Sequence, residues 1–121
     1  MKTLLFSLVF MFAIIQVQAQ CKIASVKEGP SRLEVYDERG SSMTFVQWDG
    51  KDAYDYSSCW LAKVESLSGR IYIYLYDGSR NTPNKTVQSG ATGSTVKSIK
   101  IIGNKIKIVD KNGREYTEDI K

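Results

Sequence analysis

The sequence contains no histidine and only two cysteines, Cys21 and Cys59, and each shortage removes a class of chemistry. Without histidine the commonest general base and the commonest transition-metal ligand are missing, and two thiols alone do not complete a structural zinc site. Long apolar runs are equally scarce. The only one, Leu4 to Ile15, stands at the start of the chain. No stretch carries a sustained apolar stripe at helical spacing, which argues against an amphipathic helix. No Gly-x-Ser-x-Gly elbow accompanies the serine pairs Ser41-Ser42 and Ser57-Ser58, so these potential nucleophiles lack a visible base.

What is present begins with an export signal. Met1-Lys2-Thr3 is a short positive start, Leu4 to Ile15 the apolar stretch, and Val17-Gln18-Ala19 a small-residue cleavage pattern. The apolar run is about 12 residues, well short of the roughly 20 that a spanning helix needs. Residues 1–19 therefore read as a secretory signal peptide, with no integral membrane segment after cleavage and a secreted or periplasmic destination. Cys21 lies near the cleavage point, but Gln20 precedes it where lipoprotein processing requires a small residue, which argues against lipidation.

Residues 20–121 are too few for two domains and form one. A hydrophobic fraction of 42% with 25% charged residues is ordinary for a folded chain. Seventeen basic residues stand against thirteen acidic ones, a net charge of +4 that falls by one when Lys2 leaves. That excess is too small and too dispersed for a dedicated nucleic-acid domain. Export favours pairing of the two cysteines, and a Cys21–Cys59 disulfide is expected. Closing a loop of about 40 residues would contribute roughly 4 kcal/mol through the unfolded state.

Short alternating runs bounded by Gly, Asn and Asp recur to the last residue, which predicts an all-β fold. Strands are expected around Leu33 to Tyr36, Met43 to Trp48, Ser57 to Glu65, Arg70 to Tyr76, Lys85 to Gln88, Thr95 to Ile102, Lys105 to Val109 and Arg114 to Ile120. Asp77 to Asn84, containing Pro83, is the expected long loop, and Ser89 to Gly93 a flexible link. Asn112-Gly113 predicts a type I′ turn. Three segments share an apolar alternation that ends in Asp before a glycine turn, with Asp37, Asp77 and Asp110 spaced 40 and 33 residues apart. These features predict a small antiparallel β-meander with internal hairpin repeats, closed or half-closed into a barrel-like shape; the alternative is a small β-sandwich.

The cleavage segment Gln18-Ala19-Gln20 and the run Gly103 to Gly113 resemble those of short secreted hairpin-repeat proteins of Bacteroidota-type bacteria. In those proteins a strand, a glycine turn and a second strand ending in Tyr-Asp-x-x-Gly recur two or three times. The resemblance covers the chain from about Ser31 onward. It implies an exported β-meander and carries over no catalytic residue. Asp77-Gly78-Ser79-Arg80 departs from the repeat pattern.

The candidate ligand-binding residues are aromatic: Tyr72, Tyr74 and Tyr76 on one strand face, with Trp48 and Trp60. Tyrosine and tryptophan offer flat apolar faces with a polar handle, suited to a glycan, a peptide or an envelope protein. Packing within the sheet is the competing use of the same rings. Asp49, Asp52 and Asp55 match no calcium-loop spacing, and the turn aspartates read as bonding their own backbone. Lys97, Lys100, Lys105, Lys107 and Lys111 concentrate on the last hairpin, where a solvated outer face is the expected reading. No metal, cofactor or catalytic residue is expected. The resulting expectation is an exported non-catalytic binding or interaction module; the alternatives are a structural or stress-related envelope protein without a ligand site, or a small carboxylate-dependent hydrolase.

Overall fold

The computed structural model describes residues 21–92 and 96–120. The signal segment 1–19 lies outside these residues. Among the described residues, ten strands, β1 (Ser25–Glu28), β2 (Arg32–Tyr36), β3 (Ser42–Gln47), β4 (Tyr54–Tyr56), β5 (Leu61–Leu67), β6 (Arg70–Tyr76), β7 (Lys85–Thr92), β8 (Val96–Ile102), β9 (Lys105–Asp110) and β10 (Glu115–Asp119), make up the regular structure. They form three antiparallel meanders in chain order: a first sheet β1-β2-β3, a central sheet β4-β5-β6-β7 and a last sheet β8-β9-β10. No helix among the described residues is long and apolar enough to cross a membrane.

The alternation in β6 explains the layering. Ile71, Ile73 and Leu75 point to one face and Tyr72, Tyr74 and Tyr76 to the other, so neither face of the central sheet is suited to water along its whole length. The aliphatic face, with Ala62 and Val64 of β5, packs against Ile99, Ile106 and Ile108 of the last sheet and Ile120 beyond it. The tyrosine face places Leu61 and Tyr76 against Ile23 and Leu33, Val35 and Val46 of the first sheet. Burying each of the large aliphatic side chains contributes roughly 1.5–3 kcal/mol. The molecule is thus a stack of three sheets with a core on either side of the middle one.

Among the described residues the sheets do not close into a barrel. β4 lies against β8 and β7 against β10, but side chains bridge these seams where a ladder would be needed. Asp55 Oδ2 accepts the Ile101 N–H at 2.8 Å, and Glu118 Oε1 accepts the Gly90 N–H at 3.0 Å. The Cys21–Cys59 disulfide is formed. It secures the chain before β1 to the turn before β5, and the Ile23 N–H reinforces it by donating to the Ser58 carbonyl at 2.9 Å.

Several local expectations are corrected. The strand expected over Ser57 to Glu65 starts at Leu61, because Ser57 to Trp60 form a turn in which Ser57 N–H donates to the Trp60 carbonyl at 2.8 Å. β7 continues to Thr92 where a flexible link was expected, accommodated by an irregularity in its pairing with β6 between Arg70 and Tyr72. Strands β1 and β4 were not expected; β1 has one apolar residue in four and β4 is only Tyr-Asp-Tyr, so only their partners make them strands. The type I′ geometry predicted at Asn112-Gly113 occurs instead at Ser68-Gly69, where both residues have positive φ. At Asn112-Gly113 only the glycine does.

Candidate functional site

The first sheet covers only part of the tyrosine face. Tyr76 is 4% exposed and belongs to the core between the first two sheets, whereas Tyr74 and Tyr72 are half-buried. Burial pushes the Tyr76 hydroxyl up to about 12, and burial together with a hydrogen bond to Glu65 raises that of Tyr74. The stripe is therefore one face geometrically but divided in use.

Trp48 stands where β3 ends, and its ring is held from two sides. Nε1 donates to the Asp52 carbonyl at 2.8 Å, and the ring meets Tyr54 edge to face, with centroids 5.3 Å apart. Tyr54 is fixed in turn, its hydroxyl donating to Glu28 Oε1 at 2.7 Å. Burial and this bond push its pKa up to about 12. Asp49 Oδ1 accepts the N–H groups of Asp52 and Lys51, which shapes the loop and lowers the Asp49 pKa. The Asp52 pKa is raised by burial and by the nearby charge of Asp49.

Two open clefts meet at Trp48. The larger, about 530 Å³, lies between the end of the first sheet and the central sheet, with Arg32, Phe45, Gln47, Asp52, Lys63 and Glu65 among its walls. The smaller, about 380 Å³, includes Glu28, Lys51, Tyr54 and Ser98. Phe45 is 43% exposed, and the Arg32 guanidinium lies 4.9 Å from its ring centre. Lys63 Nζ donates to the Gln47 carbonyl at 2.8 Å, joining the central sheet to the edge of the first.

Trp60 does not join this group. It packs against the aliphatic cluster on the opposite side of the central sheet, with Lys85 Nζ 5.5 Å from its ring centre. The structure brings Trp48 close to the tyrosine face and separates Trp60 from it. Phe45, Arg32, Lys63 and Glu65 are site residues that the sequence reading missed. Phe45 follows from the alternation in β3, where Val46 is buried and its neighbours point away, but the adjacency of β3 to β5 has no counterpart in the linear sequence.

The aspartates are occupied with backbone. Asp37, Asp49, Asp77 and Asp110 each accept main-chain N–H groups of nearby turn residues, and Asp55 holds β8. Among the described residues, no group of three or more Cys, Asp or Glu is placed to hold a metal ion. Two of the hairpin lysines pair across strands, Lys107 with Glu115 at 3.0 Å and Lys105 with Asp119 at 4.0 Å. That matches a solvated outer face.

No family model matches the chain, and no curated protein does. Among solved structures, the chain is similar to the computationally designed Ika4 protein, with a TM-score of 0.51 at 10% sequence identity. The match covers 82% of this chain and 66% of that one. It supports the fold alone.

Proposed function

We propose that this protein is an exported, non-catalytic binding module that takes a glycan, a peptide or an envelope protein into the cleft beside Trp48. The observation carrying this reading is the state of the Trp48 ring: immobilised by Asp52 and Tyr54, yet still a wall of two open clefts. An aromatic ring held in place loses little freedom on contact with a partner, which favours binding. Half-buried Tyr74 and exposed Phe45 extend the apolar surface around it. Export rests on the signal-like segment 1–19, and the formed disulfide is consistent with an oxidising compartment.

A Trp60→Phe variant makes Trp48 the sole tryptophan reporter. Titrating it with soluble oligosaccharides, peptides and envelope extracts should give a saturable emission change. That change should vanish in Tyr74→Ala or Phe45→Ala proteins whose circular dichroism is unaltered. A flat response across the panel would favour the structural reading, in which the repeats serve stability alone.

A further inference from the structure

β3 differs from the other edge strands. The edges of the three sheets are β1, β3, β4, β7, β8 and β10, and β3 alone carries no charged residue, reading Ser-Met-Thr-Phe-Val-Gln. Lys27 and Glu28 lie in β1, Asp55 in β4, Lys85 in β7, Lys97 and Lys100 in β8, and three acids in β10. Charges on an edge strand discourage pairing with another chain, and their absence leaves it permissive.

The direction of the free backbone groups follows from register. Trp48 N–H donates to the Ser31 carbonyl, and the ladder pairs Leu33 with Val46 and Val35 with Thr44. Hydrogen-bonded pairs alternate along an antiparallel ladder, so the N–H and C=O of Phe45 and Gln47 point to the open side of β3. Lys63 Nζ confirms this direction by bonding the Gln47 carbonyl from outside the sheet. Phe45 N–H, Phe45 C=O and Gln47 N–H are left facing outward, and both residues line the larger cleft.

The charges in that cleft do not balance. Arg32 is ion-paired with Glu34 at 3.0 Å and stacked on Phe45, and Lys63 is bonded to Gln47. Asp49, Asp52 and Glu65 line the same cleft; Asp49 accepts two loop N–H groups and Glu65 is bonded to the Tyr74 hydroxyl, but these neutral partners cancel no charge, so three acids against Lys63 leave the cleft net negative.

Resting on the binding reading above, we infer that the partner is an extended peptide segment carrying a lysine or arginine, which adds as a strand to the open side of β3. Its main chain pairs with Phe45 and Gln47, and its basic side chain meets Asp52 and Glu65. Strand addition draws affinity from main-chain bonds and specificity from alternate side chains.

The test titrates the disulfide-bonded Trp60→Phe protein with acetyl-Thr-Val-Lys-Val-Thr-Val-amide and follows Trp48 emission. Two further peptides carry N-methyl groups on one or the other alternate set of amides. Strand addition predicts that one methylated peptide binds normally and the other is weaker by about tenfold or more. Equal behaviour of the two methylated peptides overturns it.

Gln47→Pro removes an outward N–H without touching a bond to β2, so binding should be lost while the fold persists. Replacing the peptide lysine by norleucine should weaken binding to the parent protein and have little further effect on Glu65→Gln. If chitohexaose or cellohexaose perturbs Trp48 while the peptides do not, the peptide inference fails and the binding reading stands. Silence from peptides and sugars alike, with no partner recovered from envelope extracts, sinks both.

Discussion

Asp37 and Asp110 perform the same task in turns from different repeats. Asp37 Oδ1 accepts the N–H groups of Arg39 and Ser41, each at 2.9 Å, and Asp110 Oδ1 accepts those of Asn112 and Arg114, also at 2.9 Å. In both turns the following glycine, Gly40 or Gly113, donates its N–H to the aspartate carbonyl and adopts positive φ. The two differ in environment: Asp37 is half-buried, whereas Asp110 is 0% exposed and its Oδ2 has no hydrogen-bond partner.

Removing these carboxylates should therefore cost unequal amounts. Asp37→Ala is expected to lower stability by about 1–2 kcal/mol and Asp110→Ala by about 2–4 kcal/mol, since the bonds of the buried Asp110 carboxylate are partly shielded from water whereas those of Asp37 are exposed. Asp110→Asn should recover much of the loss, because the amide oxygen can replace Oδ1 and no bond of Oδ2 is sacrificed. Urea unfolding curves of the four proteins would show the order, and an Asp110→Ala protein as stable as Asp37→Ala would refute it.

Alkaline pH should unfold the protein through two tyrosines. The hydroxyls of Tyr54 and Tyr76 are raised from an ordinary value of 10.0 to about 12, chiefly by burial, with Glu28 also acting on Tyr54. A raised folded pKa means that the folded state keeps its proton where the unfolded chain has lost it. The stabilisation is fully present below pH 10 and is lost as pH rises through about 12. Melting temperature should fall over that window, and Tyr54→Phe should flatten the fall. An unchanged profile in that variant would remove Tyr54 from the explanation.

Gly78 is expected to tolerate substitution less well than Gly40. Both have positive φ, but a Cβ at Gly78 would stand 2.8 Å from Met43 Cε and 3.4 Å from Ile23 Cγ1, whereas at Gly40 it meets open space. Gly40→Ala should cost about 1 kcal/mol from backbone strain, and Gly78→Ala about 1–2 kcal/mol because the flexible end of Met43 must also turn aside. Equal midpoints in thermal unfolding would show that Met43 moves aside without cost.

Local pattern was enough to recognise the longer strands, the place of most turns and the sulfur pairing, but not the short β1 and β4. Alternation of side chains is written residue by residue, so Arg70 to Tyr76 reads as a strand with an aliphatic and an aromatic face, and Asp-x-x-Gly reads as a turn wherever it stands. The break of the repeat at Asp77 was also legible: Asp77 N–H bonds the Asn84 side chain across a loop, and no tight hairpin forms there. Which aromatic rings remain available was decided only by tertiary structure. Tyr76 and Trp60 are consumed by packing on opposite faces of the central sheet, while Trp48 is left at the mouth of two clefts. The reason is that alternation says that a strand has two faces, whereas how far a neighbouring sheet reaches across one of them depends on how separate hairpins stack, a relation between residues far apart in the chain.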